Sequence, residues 1–196
     1  MKTETPDTKS LILLVGRKLT AEHGYAGVGL NQLLRAADVP KGSFYHYFPS
    51  KEAYGCALLE EFVAQYRTSL AETLNDPTRT AHDRFLAYFE GWKRHQTSPN
   101  PEDRCLVVRL SAEVADLSEN MSQILQRGVD CIVESLSDVL TQGIAEGSVP
   151  RLDDPTLLAK STYYQWLGAS LVAGLSHDEA PLNAAMQATI DAISPD

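Results

Sequence analysis

The stretch Pro40-Lys41-Gly42-Ser43-Phe44-Tyr45-His46-Tyr47-Phe48 decides how the rest of the chain is interpreted. Proline disfavours helical angles in the residue before it and is preset for the first turn of a new helix. Asp38, two residues earlier, tolerates the left-handed geometry that a tight turn between helices requires. The pattern therefore predicts two short helices at a steep angle, over residues 30–37 and 41–47.

The second of these short helices has the composition of a DNA recognition helix. Such a helix presents polar groups to the major groove and to phosphates, and it needs apolar residues behind it. Phe44 and Phe48 are predicted to anchor it to the first and fourth helices, and free backbone N–H groups near Gly42 and Ser43 are predicted to form an anion site. The candidate DNA-binding residues are Lys41, Gly42, Ser43, Tyr45, His46, Tyr47 and Lys51.

The charge of the chain is divided unevenly between its two parts. The 196 residues carry a net charge of −9, but residues 1–52 hold seven basic side chains against five acidic ones, a local charge of +2. The remainder carries −11. Only the N-terminal part is suited to phosphate, and the acidic body discourages other surfaces from binding. We predict a DNA-binding domain over residues 1–49 and a helical domain over residues 50–196.

Helical periodicity runs through nearly every segment, which predicts an all-α protein. A first helix carries Leu11, Leu14, Val15 and Leu19 on one face and ends near His23-Gly24, where glycine suits a left-handed cap. The segment Pro49-Ser50-Lys51-Glu52 is predicted to end the third helix and to cap a long fourth one. The later helices are expected over about residues 50–74, 78–97, 102–115, 118–146, 154–174 and 180–193.

Several function classes are disfavoured by the sequence. The apolar run from Leu11 to Val15 is too short for a signal peptide or a membrane span, so a cytoplasmic protein is expected. The chain has no phosphate loop, no nucleophile elbow and no zinc-binding cysteine pattern, so we expect no enzyme, no cofactor and no metal. An aromatic segment like 44–48 is also compatible with the core of a noncatalytic protein-interaction module that does not bind specific DNA.

The segment from Gly24 to Lys51, followed by Glu52-Ala53-Tyr54, resembles the DNA-binding domain of the TetR family of regulators. This resemblance implies a homodimer bound to a palindromic operator, with an N-terminal three-helix reader and a C-terminal domain that binds a small-molecule effector and dimerises. It favours a transcriptional repressor over an interaction module. Gly29 stands where many members have a threonine that caps the second helix, so no hydroxyl contact to phosphate is expected there.

The segment from Arg104 to Met121 further resembles the electrophile-responsive branch of that family. In one repressor of that branch the cysteine that matches Cys105 is the redox-sensing residue, whereas the lysine to which that cysteine bonds aligns with Gly174 here. A cysteine-lysine switch therefore does not carry over. Independently, Cys105 is expected in the first turn of its helix, where the helix dipole and Arg104 favour the thiolate but Glu102 and Asp103 oppose it, so an inert cysteine fits the sequence as well. Cys56 and Cys131 are interpreted as buried packing residues.

Two further sets of residues concern the helical body. Aromatic side chains at helical spacing are candidates for the wall of an effector cavity, although plain core packing gives the same pattern. The favoured members are Trp92, Tyr163 and Trp166, with Tyr88, His95, Tyr164 and Gln165 also considered. Apolar faces in the last two helices, carrying Leu171, Leu175, Leu182 and Ala185, suit either a four-helix dimer interface or an intramolecular core.

Overall fold

The computed structural model describes residues 7–194, and within that range the chain is all-α, as the sequence predicts. Nine helices and one 3₁₀ turn, Pro101–Asp103, make up the described part of the chain. The helices are α1 (Thr8–His23), α2 (Leu30–Ala36), α3 (Lys41–Tyr47), α4 (Lys51–Leu74), α5 (Ala81–Gln96), α6 (Leu106–Leu117), α7 (Glu119–Glu146), α8 (Pro155–Ser176) and α9 (Ala180–Ile193).

One compact unit contains residues 7–64 and 99–126, and it includes the helix-turn-helix. Asp38 adopts the left-handed conformation with φ of 51°, which confirms the tight turn between α2 and α3. Gly24 ends α1 with a positive φ of 76°. The Ser50 hydroxyl accepts a hydrogen bond from the N–H of Ala53 at 3.0 Å and thereby caps α4, and Gly29 caps α2 without a side-chain bond. These local signals fix where the reader helices begin and end.

The second compact unit contains residues 65–98 and 127–194. Helices α8 and α9 pack against each other, and α5 contacts α9. The buried Arg84 of α5 donates 2.6 Å and 3.1 Å hydrogen bonds to the carbonyl oxygen of Leu74 and to Oε1 of Gln142. This guanidinium joins the end of α4 to α7.

One helix start differs from the sequence-based prediction. The helix expected from residue 102 begins at Leu106, because Pro101–Asp103 forms a separate 3₁₀ turn and Arg104 is extended. Cys105 is consequently the N-cap of α6 and not a member of its first turn. The predicted boundary between domains at residues 49 and 50 stays a prediction, because a compact unit of the structure is not necessarily a domain that folds independently.

Candidate DNA-binding surface and effector site

Helix α3 has one buried and one exposed face. Phe44 and Phe48 are 0% and 2% exposed, and their rings lie 5.6 Å and 5.5 Å from the ring of Tyr54 on α4. Helix α3 also contacts α1, so the predicted anchoring to the first and fourth helices is confirmed. Tyr45 and Tyr47 are exposed, as are Lys41, Gly42 and His46, while Ser43 is half-buried. The aromatic base fixes the angle at which these polar groups face solvent.

The exposed side chains of α3 are ordered by contacts among themselves. The Lys41 ammonium lies 5.9 Å from the centroid of the Tyr45 ring, and the His46 and Tyr47 rings are 4.9 Å apart. A Cβ atom added at Gly42 would meet no atom of residues 7–194 within 4 Å, so packing within this part of the chain does not require a glycine there. The expected anion site is partly wrong, because the Ser43 N–H donates to the Pro40 carbonyl oxygen at 3.0 Å.

A groove beside α3 adds residues that sequence reasoning missed. Asn31 and Arg35, both exposed and one turn apart on α2, line it together with Lys41 and Asp38. Their i and i+4 spacing places them on the polar face of α2, which is the signal that could have identified them. The first helix of a helix-turn-helix crosses the DNA backbone, so this placement suits phosphate contacts.

Lys51 is the first residue of α4, and it is held against the loop that follows α1. Its ammonium lies 4.9 Å from the centroid of the Tyr25 ring and 3.4 Å from the Tyr25 carbonyl oxygen. Burial, and after it the nearby Cys56, Glu52 and Glu113, raises the pKa of Tyr25 to about 12. The Tyr25 hydroxyl is therefore protonated at neutral pH and serves as a hydrogen-bond donor.

Cys105 lies in the first compact unit, and its thiol is not activated as expected. Burial raises the pKa of the Cys105 thiol, and this effect outweighs the backbone N–H groups of Val108 and Val107, which favour the thiolate. The helix start does supply the expected stabilisation of negative charge, but desolvation exceeds it. The residue as a whole is half-buried, so an accessible, low-pKa thiolate is the wrong description of this site.

The two other cysteines, Cys56 and Cys131, are also half-buried, which corrects their interpretation as buried packing residues. Burial raises the pKa of the Cys56 thiol, and the neighbouring carboxylates of Glu52 and Glu60 raise it further. Cys131 lines a cavity of about 220 Å³ between α4 and α7 in the second compact unit. The groups around it include Arg67, Leu70 and Ser135.

The predicted aromatic set divides into buried and exposed members. Trp92, Tyr163 and Trp166 are at most 5% exposed and form one cluster, with ring centroids 5.3 Å apart for Trp92 and Tyr163. The indole N–H of Trp92 donates to Ser170 at 2.9 Å, and that of Trp166 donates to Thr189 at 3.0 Å. These side chains are packed as core in this structure. Tyr88 is buried too, whereas His95, Tyr164 and Gln165 are exposed.

The apolar faces of the last two helices also separate. Leu182 and Ala185 of α9 are buried, so they belong to the core of the second unit. Leu171 and Leu175 of α8 are 54% and 84% exposed. Gly174 on the same helix is exposed as well.

Residues 7–194 contain no group of three metal-ligating side chains close enough to hold an ion. Within the same range, no helix is both long and apolar enough to cross a membrane.

A polar helix fixed on an aromatic base, placed after a tight turn and ahead of an all-helical body, defines a DNA-binding regulator of the helix-turn-helix class. Residues 12–53 match the family of bacterial regulatory proteins of the tetR type, and residues 81–189 match a tetracyclin repressor-like C-terminal domain. The chain belongs to the TetR family of transcriptional regulators.

Individual relatives agree with this assignment. The chain is 39% identical to the HTH-type transcriptional repressor NemR of Escherichia coli over 180 residues, which cover 92% of this chain and 90% of NemR. It is 30% identical to the transcriptional regulator AcuR of Cereibacter sphaeroides, over 88% of this chain and 78% of AcuR. The crystal structure of reduced E. coli NemR superposes with a TM-score of 0.92 at 38% identity, covering 97% of this chain and 99% of that one.

Proposed function

We propose that the protein is a cytoplasmic homodimeric repressor that binds a palindromic operator through α3 and is released by a small organic or electrophilic effector. The residues proposed to contact DNA are Lys41, Gly42, Ser43, Tyr45, His46, Tyr47 and Lys51. The effector is proposed to act in the helical body, where it changes the spacing between the helix-turn-helix domains of the two protomers and so weakens operator binding.

The observation that carries the proposal is the exposed face of α3. Its lysine, tyrosine and imidazole groups are exposed while Phe44 beneath them is buried, and within residues 7–194 no packing contact requires a glycine at position 42. A residue without a side chain allows the DNA backbone to approach closely. Asn31 and Arg35 extend the same surface along α2 and supply a further cation.

The face of α8 supports the dimer. Leu157, Tyr164, Leu171 and Leu175 follow one another at spacings of seven, seven and four residues, and each is at least 49% exposed. Such a continuous apolar stripe on a helix is suited to packing against a second copy. The matching helices of two protomers would bury it in a helix bundle.

The effector side of the proposal rests on Cys105 and on the aromatic cluster of Trp92, Tyr163 and Trp166. An electrophile would alkylate Cys105 slowly at neutral pH because its thiol is protonated. A noncovalent effector in the cluster would have to repack the indoles. The two tryptophans of the sequence both lie in this cluster, so tryptophan fluorescence, excited selectively, reports on it alone.

Operator binding is tested by footprinting on DNA upstream of the gene that encodes the protein, in a series of salt concentrations. Lys41→Ala with Tyr45→Ala should lower the affinity by about tenfold or more and reduce the salt dependence by about one ion, at unchanged helicity. Arg151→Ala, which removes one positive charge outside the helix-turn-helix, is the control and should leave both quantities nearly unchanged. Equal, sequence-specific binding by the double variant and the wild type would show that these two side chains do not read the operator, and no specific binding by the wild type would identify an interaction module.

The sensor is tested by treating the operator complex with N-ethylmaleimide. Cys105→Ser should abolish release, whereas Cys56→Ser and Cys131→Ser should respond as the wild type does. A normal response of the Cys105→Ser protein would show that this thiol is not the sensor. Tryptophan fluorescence, recorded during titration with small organic ligands, then tests the cluster separately.

A further inference from the structure

The loop between α1 and α2 is held by a carboxylate from a helix outside the helix-turn-helix. The N–H groups of Tyr25 and Ala26 donate to the two carboxylate oxygens of Glu113 on α6, the first at 3.1 Å to Oε2. The space beside this carboxylate is filled, since a Cβ atom at Gly24 would lie 2.9 Å from Oε2. One helical turn earlier on α6, Arg109 donates to the Glu22 carbonyl oxygen at 3.3 Å. Helix α6 is thus attached to the end of α1 and to the loop after it.

Tyr25 in turn holds Lys51 from three directions. Its hydroxyl donates to the Lys51 carbonyl oxygen at 2.6 Å, its own carbonyl oxygen accepts from the Lys51 ammonium at 3.4 Å, and its ring lies under that ammonium. A Cβ atom at Gly55 would come within 2.7 Å of the Tyr25 hydroxyl and 2.8 Å of the Met121 sulfur. The tyrosine is therefore enclosed by α4 and α7 as well as by its loop.

We infer that Glu113 is a positioning residue for DNA binding, which sets the Lys51 ammonium in place by fixing Tyr25. The inference rests on the proposed contact between Lys51 and operator phosphate. A free lysine side chain samples many rotamers and loses that freedom on binding, so a lysine already held in place binds phosphate at a lower entropic cost.

The negative charge of Glu113 makes the inference testable, because a positioning role and simple charge repulsion predict opposite changes in operator affinity. A carboxylate near DNA repels phosphate, so its neutralisation alone would strengthen binding. If Glu113 acts through Tyr25 and Lys51, its neutralisation has the opposite effect. Asp116 is exposed on the same helix, three residues further on, and Asp116→Asn makes the same change of charge without touching the loop.

The experiment measures operator affinity of the full-length protein against salt concentration for Glu113→Gln, Lys51→Gln and the double variant. Lys51→Gln should weaken binding and reduce the salt dependence by about one ion. Glu113→Gln should weaken binding about three- to tenfold, and the double variant should bind no more weakly than Lys51→Gln alone. Asp116→Asn should bind as tightly as the wild type or more tightly.

The inference is overturned if Glu113→Gln binds the operator like Asp116→Asn, or if Lys51→Gln leaves the salt dependence unchanged. It is also overturned if the losses of binding free energy from Glu113→Gln and Lys51→Gln add fully in the double variant. Failure of the wild type to bind any upstream fragment removes the proposed function, and the inference with it. Should Glu113→Gln not fold, Glu113→Asp keeps the charge and shortens the reach to the loop. It should weaken binding in the same direction, and faster amide exchange at Ala26 should accompany that loss.

Discussion

Replacing Gly16 by alanine should weaken the packing that supports the recognition helix. Gly16 lies on α1 against Tyr54, and a Cβ atom there would come 1.7 Å from the Tyr54 hydroxyl oxygen and 2.9 Å from the ring carbon that bears it. Tyr54 is 2% exposed, and its ring contacts Phe44 and Phe48. The ring therefore cannot swing into solvent to relieve the overlap, and α1 or α4 has to shift.

The magnitude follows from two opposing effects. Overfilling a packed core costs about 1–3 kcal/mol, and the rigid aromatic neighbours of Tyr54 favour the upper part of that range. Alanine in a helix interior gains about 1 kcal/mol over glycine. The expected net loss is about 2 kcal/mol, or a decrease of about 4–8 °C in Tm for a chain of this length.

Urea unfolding at a fixed protein concentration measures this change. Gly91→Ala is the control, because the nearest atom to a Cβ at Gly91 is 3.6 Å away, and it should gain up to about 1 kcal/mol. Among residues 7–194 the buried Tyr54 hydroxyl has no hydrogen-bond partner, so Tyr54→Phe removes the atom closest to the added Cβ and should restore part of the stability that Gly16→Ala loses. Equal stabilities of Gly16→Ala and Gly91→Ala, or no recovery in the double variant, would refute the close contact.

Three further predictions concern the thiol, the acid stability and the assembly. The rate at which N-ethylmaleimide alkylates Cys105 should rise about tenfold per pH unit between pH 7 and 9, because burial raises the thiol pKa above its ordinary 9.0. Mass spectrometry measures this rate, and a plateau below pH 8 would contradict the prediction. Glu146 accepts hydrogen bonds from Ser148 and Ala81, which lower the pKa of its carboxyl group below the ordinary 4.5. Its contribution to stability is therefore complete above pH 4.5 and is lost as the pH falls through the lowered pKa of the folded state. The urea midpoint of Glu146→Gln should lie below that of the wild type at pH 7, and the difference should shrink at pH 3. Leu171→Glu should convert the proposed dimer to a monomer in sedimentation velocity, with unchanged helicity in circular dichroism, and a persistent dimer would place the interface elsewhere.

The parts of the fold that short-range chemistry determines were predictable from the sequence. The left-handed Asp38, the cap at Ser50 and the anchoring of Phe44 each depend on residues within one or two helical turns or on a strong aromatic pattern. The all-helical body followed from periodicity alone. Such signals fix the helix-turn-helix and the direction of its exposed face.

The parts that depend on residues distant in sequence were not predictable. Burial of the Cys105 thiol depends on the tertiary packing around its helix, and spacing indicated only the helix start. The contact between Glu113 and the loop at Tyr25 joins residues 88 positions apart, and no motif marks either of them. Helical spacing brought Trp92, Tyr163 and Trp166 to one cluster, but periodicity does not distinguish a cavity wall from a filled core.

The unequal surroundings of two glycines have a consequence for mutational scanning of this protein. In a screen for cellular abundance, substitutions at Gly16 should lower the amount of protein, because the fold leaves no space for a larger residue there. Alanine at Gly42 should leave the amount unchanged, because the fold leaves space for it. A screen for reporter silencing should reject both. Positions that pass the first screen and fail the second would map the DNA-facing residues of the whole reader without a structure of the complex.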